Sequence, residues 1–207
     1  MRVKVSVPVG MSDRIARVTA VKQERPAPDY ATGPVTRGLR LAALLGVVAL
    51  TVYILVRYPS LPEVVPVHFN FSGAADGFGS RSSMLWLAGV MLAISVLMAW
   101  LSTKPNALNY PGDITEANAQ RIYREGERMM VWVLVSVAVL YLGIVLQTFA
   151  GVGADAGADP GAGAGERAGS GAGQTLLVVG LVGMLASTLV GIARLVIADT
   201  PPKQPGT

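Results

Sequence analysis

"SSMLWLAGVMLAISVLMAWLST", residues 82–103, runs for 22 residues without a charge. As a helix it rises about 33 Å, enough to cross a hydrocarbon core about 30 Å thick. A buried helix of a soluble protein can look the same in isolation. Working outward, however, the chain holds three more long apolar runs, at 41–57, 129–150 and 175–198, the first ending on Arg57 and the last with Arg194 in its final turns. The composition agrees: 52% of residues are apolar, 14% are charged and the mean hydropathy is +0.50. A soluble domain carries about 25% charge. The sequence therefore predicts an all-α membrane protein of four transmembrane helices, with a structured outer loop between helices 1 and 2. The absence of cysteine excludes a disulfide framework, a thiolate metal site and a cysteine nucleophile.

The first run is the shortest, with 16 uncharged residues between Arg40 and Arg57. It reaches only about 24 Å, so both arginines are expected to snorkel to the two interfaces. "RYPSLP" follows it rather than a small-residue cleavage site, so it reads as an uncleaved span. Orientation follows from Lys and Arg in the flanks. Residues 1–40, 104–128 and the C-terminal end hold fourteen of them; the 57–81 and 153–174 loops hold three. Both termini and the 104–128 loop are expected on the cytoplasmic side of a plasma membrane. Met11 is an alternative start, and discounting residues 1–10 leaves this orientation unchanged.

Residues 1–36 read as a poorly ordered basic arm that suits an anionic inner leaflet. Its scattered basic residues are offset by Asp13, Glu24 and Asp29, which argues against nucleic-acid binding. In the 104–128 loop, Asp113 or Thr115 is expected to cap a helix starting near Glu116. That helix is read as a short interfacial one feeding the third span, with Arg121 and Glu125 paired at i,i+4. The Gly/Ala-rich 151–174 stretch reads as a flexible outer linker, and 199–207 as a cytoplasmic tail. The G-x-G matches in the linker follow no strand and precede no Lys-Ser or Lys-Thr, so they are composition and not a phosphate cradle.

Proton- or ion-coupled transporters place ionisable groups within the bilayer. The middles of these spans hold no Asp, Glu, Lys or His, only hydroxyls and Gln147. This disfavours an ion-coupled transporter or an intramembrane protease, and no enzyme activity is expected. Gly183, Ser187 and Gly191 recur at i, i+4, i+8 and put small residues on one face of the fourth span. Gly89 and Ala93 do the same in the second. Packing within the bundle is the expected use, with homo-oligomerisation as the alternative.

The 57–81 loop is long for a connector, and Pro59, Pro62 and Pro66 make its first half extended. "VPVHFNFS" alternates, with Val67, Phe69 and Phe71 expected inward and His68, Asn70 and Ser72 outward. "SGAADGFG" reads as a turn centred on Asp76–Gly77.

"LPEVVPVHFNFSGAADGFGSR", 61–81, resembles the signature of the small domain of unknown function at the N-terminus of SdpI-type immunity proteins. Leu61, Pro62, Pro66, His68, Phe69, Asn70, Gly73, Asp76, Gly79 and Ser80 carry the match, and Arg81 stands where Lys is usual. "KPNALNYPGDITEANAQRIYREGERMM" also resembles the family's inner loop. The likeness covers residues 40–150 and marks 37–150 as one membrane module. It implies resistance to a secreted peptide toxin and capture of a repressor at the membrane. The later Gly-x-Arg-Thr-x-Trp-type motif that goes with those roles is absent from the sequence.

The ligand or loop-structuring candidates are Pro62, Pro66, His68, Asn70, Gly73, Asp76 and Arg81. A metal site needs three or four ligands. The loop offers one His and no Cys, so neither a metal nor a cofactor is expected. The expected partners are the lipid bilayer together with a peptide toxin or a membrane or cytoplasmic protein. An accessory or structural subunit of a transport or envelope complex is the alternative reading.

Overall fold

The computed structural model describes residues 25–70, 72–155 and 171–199. Four helices, α1 (Pro34–Arg57), α2 (Ser82–Ser102), α3 (Ala119–Asp155) and α4 (Gly171–Asp199), are each long and apolar enough to cross a membrane. A hairpin of β1 (Val64–Phe69) and β2 (Ala75–Ser80) joins α1 to α2. The outer faces carry bare Leu45, Val56, Trp86, Trp100, Leu189 and Ile197. Water does not tolerate so continuous an apolar surface, and lipid does. The chain is an integral membrane protein.

α1 begins seven residues before its uncharged run. Gly33 is extended and Pro34 takes the first helical position, where its missing N–H has no partner to lose. Arg40 is thereby drawn into the helix. It does not snorkel to the interface but turns inward to pair with Glu127 of α3; the two side chains are 14% and 4% exposed.

α3 is the hub. In its most apolar window 39% of residues are buried, against 11% for α4, which packs chiefly on α3. The main core cluster joins Val47 and Ile54 of α1, Met84 and Ala88 of α2, and Tyr141 and Val145 of α3 with Leu61 and with Val65 of β1. Tyr141 and Thr51 hydroxyls meet within this core at 3.4 Å. Where α3 and α4 cross, Gly143 and Gly180 let backbone touch backbone. A Cβ on Gly143 would stand 2.7 Å from the Leu177 nitrogen, and one on Gly180 2.7 Å from the Leu140 nitrogen. Gly183 faces Ser136 and Gly191 faces Met129 on the same side. Ser187 donates to its own helix at the Met184 carbonyl. Gly89, by contrast, has nothing within 4 Å and Ala93 is exposed, so that face of α2 is not used in the bundle.

The end opposite the hairpin corrects three expectations. First, residues 25–33 form a strap and not a loose arm; residues 1–24 lie outside the described residues. Arg25 donates to the Asn106 and Leu108 carbonyls, and Gln120 accepts from the Asp29 N–H and donates to the Ala27 carbonyl. Arg124 stacks over Tyr30, 5.3 Å from the ring centre. Second, the interfacial helix is not separate, because α3 runs unbroken from Ala119. Asn118 organises the entry instead of Asp113 or Thr115: its Oδ1 accepts from the Thr115 N–H, while Nδ2 donates to the Asp113 carbonyl and to Asp199 at the end of α4. Third, Glu125 pairs with Arg128 and, more loosely, Arg194 rather than with Arg121. The 151–174 linker is shorter than expected, since 151–155 continue α3 and 171–174 open α4. Residues 156–170 and 200–207 lie outside the described residues.

Candidate functional site: the hairpin over the bundle end

The two strands pair antiparallel from Val64↔Ser80 to Phe69↔Ala75. Pro66 has no N–H to give a ladder, and the register shifts immediately after it, leaving Val67 unpaired. That shift breaks the expected alternation: Val65 and Pro66 point into the protein and Val67 is exposed. Pro66 is fully buried against Gly151, where a Cβ would stand 2.8 Å from its ring. Phe69 is half-buried, and Phe71 lies outside the described residues.

The turn is not at Asp76–Gly77, which sits inside β2. It is built by Asn70, whose Oδ1 accepts from the Ser72 N–H, the Ser72 hydroxyl and the Ala74 N–H. Gly73 supplies φ +83°, a left-handed conformation open to glycine at little cost. Gln147, wholly buried in α3, donates to the Gly73 carbonyl at 3.2 Å. Gly77 is required for another reason: it lies opposite His68, and a Cβ there would stand 2.8 Å from the His68 Cβ. Arg81 lies 5.4 Å over the Tyr58 ring, and its N–H donates to the Glu63 carbonyl at 2.9 Å, closing the base of the hairpin.

Pro66, Asn70, Gly73 and Arg81 therefore hold the loop together. Pro62 is exposed just before β1, and the contacts of the fold give it no such task. His68 and Asp76 remain, paired across the hairpin with Nδ1 2.5 Å from Oδ1 and side chains 72% and 43% exposed. A carboxylate only accepts, so Nδ1 carries the proton and a neutral ring presents Nε2 outward as an acceptor. Beneath them lies a cavity of about 370 Å³ lined by His68, Phe69, Met84, Leu87, Ile144 and Leu177. Among the described residues no group of three or more His, Cys, Asp or Glu could hold a metal ion. The hairpin thus exposes an imidazole and a carboxylate beside apolar neighbours.

Residues 45–92 match the model of a domain of unknown function, DUF1648. The match takes in the second half of α1, the whole hairpin and the first half of α2. An uncharacterized protein of Archaeoglobus fulgidus is 42% identical over 65 residues, covering 31% of this chain and 34% of the relative. The chain thus matches about a third of the length of that curated relative. No solved structure matches it.

Sequence reasoning missed Gln147 as the hairpin's anchor and the Arg40–Glu127 pair. A lone amide in an otherwise apolar run was the available signal for Gln147, since a buried amide needs a partner. At the strap end, the Tyr30 and Tyr110 hydroxyls are held above the ordinary tyrosine range. Burial is the main cause for both; the Glu127 carboxylate adds to it at Tyr30 and Tyr123 at Tyr110.

Proposed function

We propose that this is a non-enzymatic plasma-membrane protein that presents its hairpin at the outer face to intercept a secreted peptide, in the manner of SdpI-type immunity or signalling proteins. The orientation rests on the excess of Lys and Arg around the strap end. The single observation that supports recognition is the exposed His68–Asp76 pair on a hairpin whose other polar candidates are mostly occupied in shaping it. Deleting the gene should sensitise cells to a secreted peptide. His68→Ala and Asp76→Ala should reproduce that at normal protein level, whereas Gly73→Ala should act by lowering the level of folded protein. Unchanged sensitivity across a broad toxin panel would defeat the reading. Alkaline phosphatase fused after Gly73 or Gly165 should be active, and fused after Asn118 inactive; the reverse pattern would overturn the orientation.

A second reading, an accessory or structural subunit of a transport or envelope complex, is favoured by the open Gly89–Ala93 face of α2, flanked by exposed Trp86 and Trp100. Purification in mild detergent should then bring down a stoichiometric membrane partner, and a lone monomer would sink it.

A further inference from the structure

A long groove runs between α3 and α4. Its charges, Glu125, Arg128 and Arg194, all lie at one end. Deeper in, the walls are Trp132 and Val139 of α3 and Val179 and Gly183 of α4, and the only other polar side chains are Ser136 and Ser187. Both hydroxyls already donate to carbonyls of their own helices. The groove is therefore an apolar channel with a charged mouth.

Its dimensions limit the occupant. From Arg128 to Val139 the helical rise is about 16 Å. That is the depth of one leaflet, half of a hydrocarbon core of about 30 Å. The free volume is about 490 Å³. A hydrocarbon chain can lie along a groove of this length and volume. At Gly183 the two helices come close, a Cβ there standing only 3.0 Å from the Ser136 hydroxyl, and the groove lies over this contact.

The mouth selects the headgroup. The Arg128 Nη1 donates to Glu125 Oε1 at 2.6 Å, while the Arg194 Nη1 stands 3.7 Å from Glu125 Oε2, beyond hydrogen-bond reach. One carboxylate faces two guanidiniums, so one positive charge is in excess. The arginine side chains are 45% and 57% exposed, free to turn toward a ligand. Trp132, half exposed one turn further in, is a side chain that favours headgroup level. We infer that this groove binds an anionic phospholipid, one acyl chain lying between α3 and α4 and the phosphate held between Arg128 and Arg194. The site is independent of the hairpin and of the peptide reading.

Trp132 gives a direct readout, because the chain has three tryptophans and the other two, Trp86 and Trp100, face outward from α2. In a W86F/W100F background, the protein is reconstituted in phosphatidylcholine vesicles containing a minor fraction of acyl-brominated phosphatidylglycerol or acyl-brominated phosphatidylcholine. Brominated phosphatidylglycerol should quench Trp132 with an apparent affinity about fivefold higher, the effect of one excess charge near the surface. R128Q/R194Q should abolish the preference while quenching by phosphatidylcholine stays unchanged. Ser187→Phe should fill the channel and reduce quenching by both lipids. Equal quenching in the parent, or a preference that survives R128Q/R194Q, would overturn the site. Displacement of the brominated lipid by soluble glycerol phosphate would assign the mouth to a free phosphate compound and refute the lipid.

Discussion

Replacing Glu127 by alanine tests the strap end most directly. The carboxylate accepts from Arg40 and from the Thr32 hydroxyl. Its removal leaves a guanidinium in a site where that side chain is only 14% exposed. Breaking a buried pair by deleting one partner costs about 3–5 kcal/mol, much of it for the stranded charge. Arg40 keeps some contact with the outside, so the lower end applies, about 3 kcal/mol. Removing both charges should undo the damage, because an apolar pair of similar volume is neutral or better. Arg40→Met with Glu127→Leu should therefore fall within about 1 kcal/mol of the parent or exceed it. The assay is unfolding by SDS in mixed micelles, followed by far-ultraviolet circular dichroism and extrapolated to zero denaturant. If Glu127→Ala stayed within about 0.5 kcal/mol of the parent, or the double variant were no better than the single one, the buried-pair account would fail.

Two further expectations follow from the same geometry. Gly180→Ala should destabilise by about 1–3 kcal/mol, since its Cβ meets the Leu140 backbone. Gly89→Ala, into open space, should be neutral or stabilise by up to about 1 kcal/mol in the same assay; the opposite order would contradict the α3–α4 contact. Tyr30 and Tyr110 ionise less readily in the folded protein, so their contribution to stability is fully present below the unfolded value of about 10. It is lost as pH rises through the folded values. Tyrosinate absorbance should show a late-titrating fraction that shrinks in Tyr30→Phe, and an alkaline curve identical to the parent's would refute the burial of that hydroxyl.

The four spans were legible because charge-free runs of the right length admit few other structures. Their ends were not. Arg40 and Glu127 each look like a boundary charge, and only the bundle brings together two residues 87 apart in the chain. The turn was misplaced because Asp-Gly is a strong local signal. Here the glycine of that pair serves close approach to His68, and Asn70 makes the turn through three hydrogen bonds to its side chain. The alternation of β1 failed at Val67 for a similar reason, since a proline inside a strand forced a bulge that periodicity does not encode. Of the i,i+4 small residues of α4, Gly183 and Gly191 stand against Ser136 and Met129 of α3. The backbone-to-backbone contacts, at Gly143 and Gly180, lay hidden in runs where a glycine carries no pattern.

Gly73 touches both Gln147 and Gln174, which come from the third and fourth helices. A ribosome delivers the chain in the other order, strands first and these helices later. The nascent hairpin therefore forms without the neighbours that fix its tip, and the fourth helix, made after it, is one of those that complete it. In a cell, the finished loop surface would be a mark of completed biogenesis: a chain stalled or clipped before its fourth helix would display the same residues on an unsettled turn.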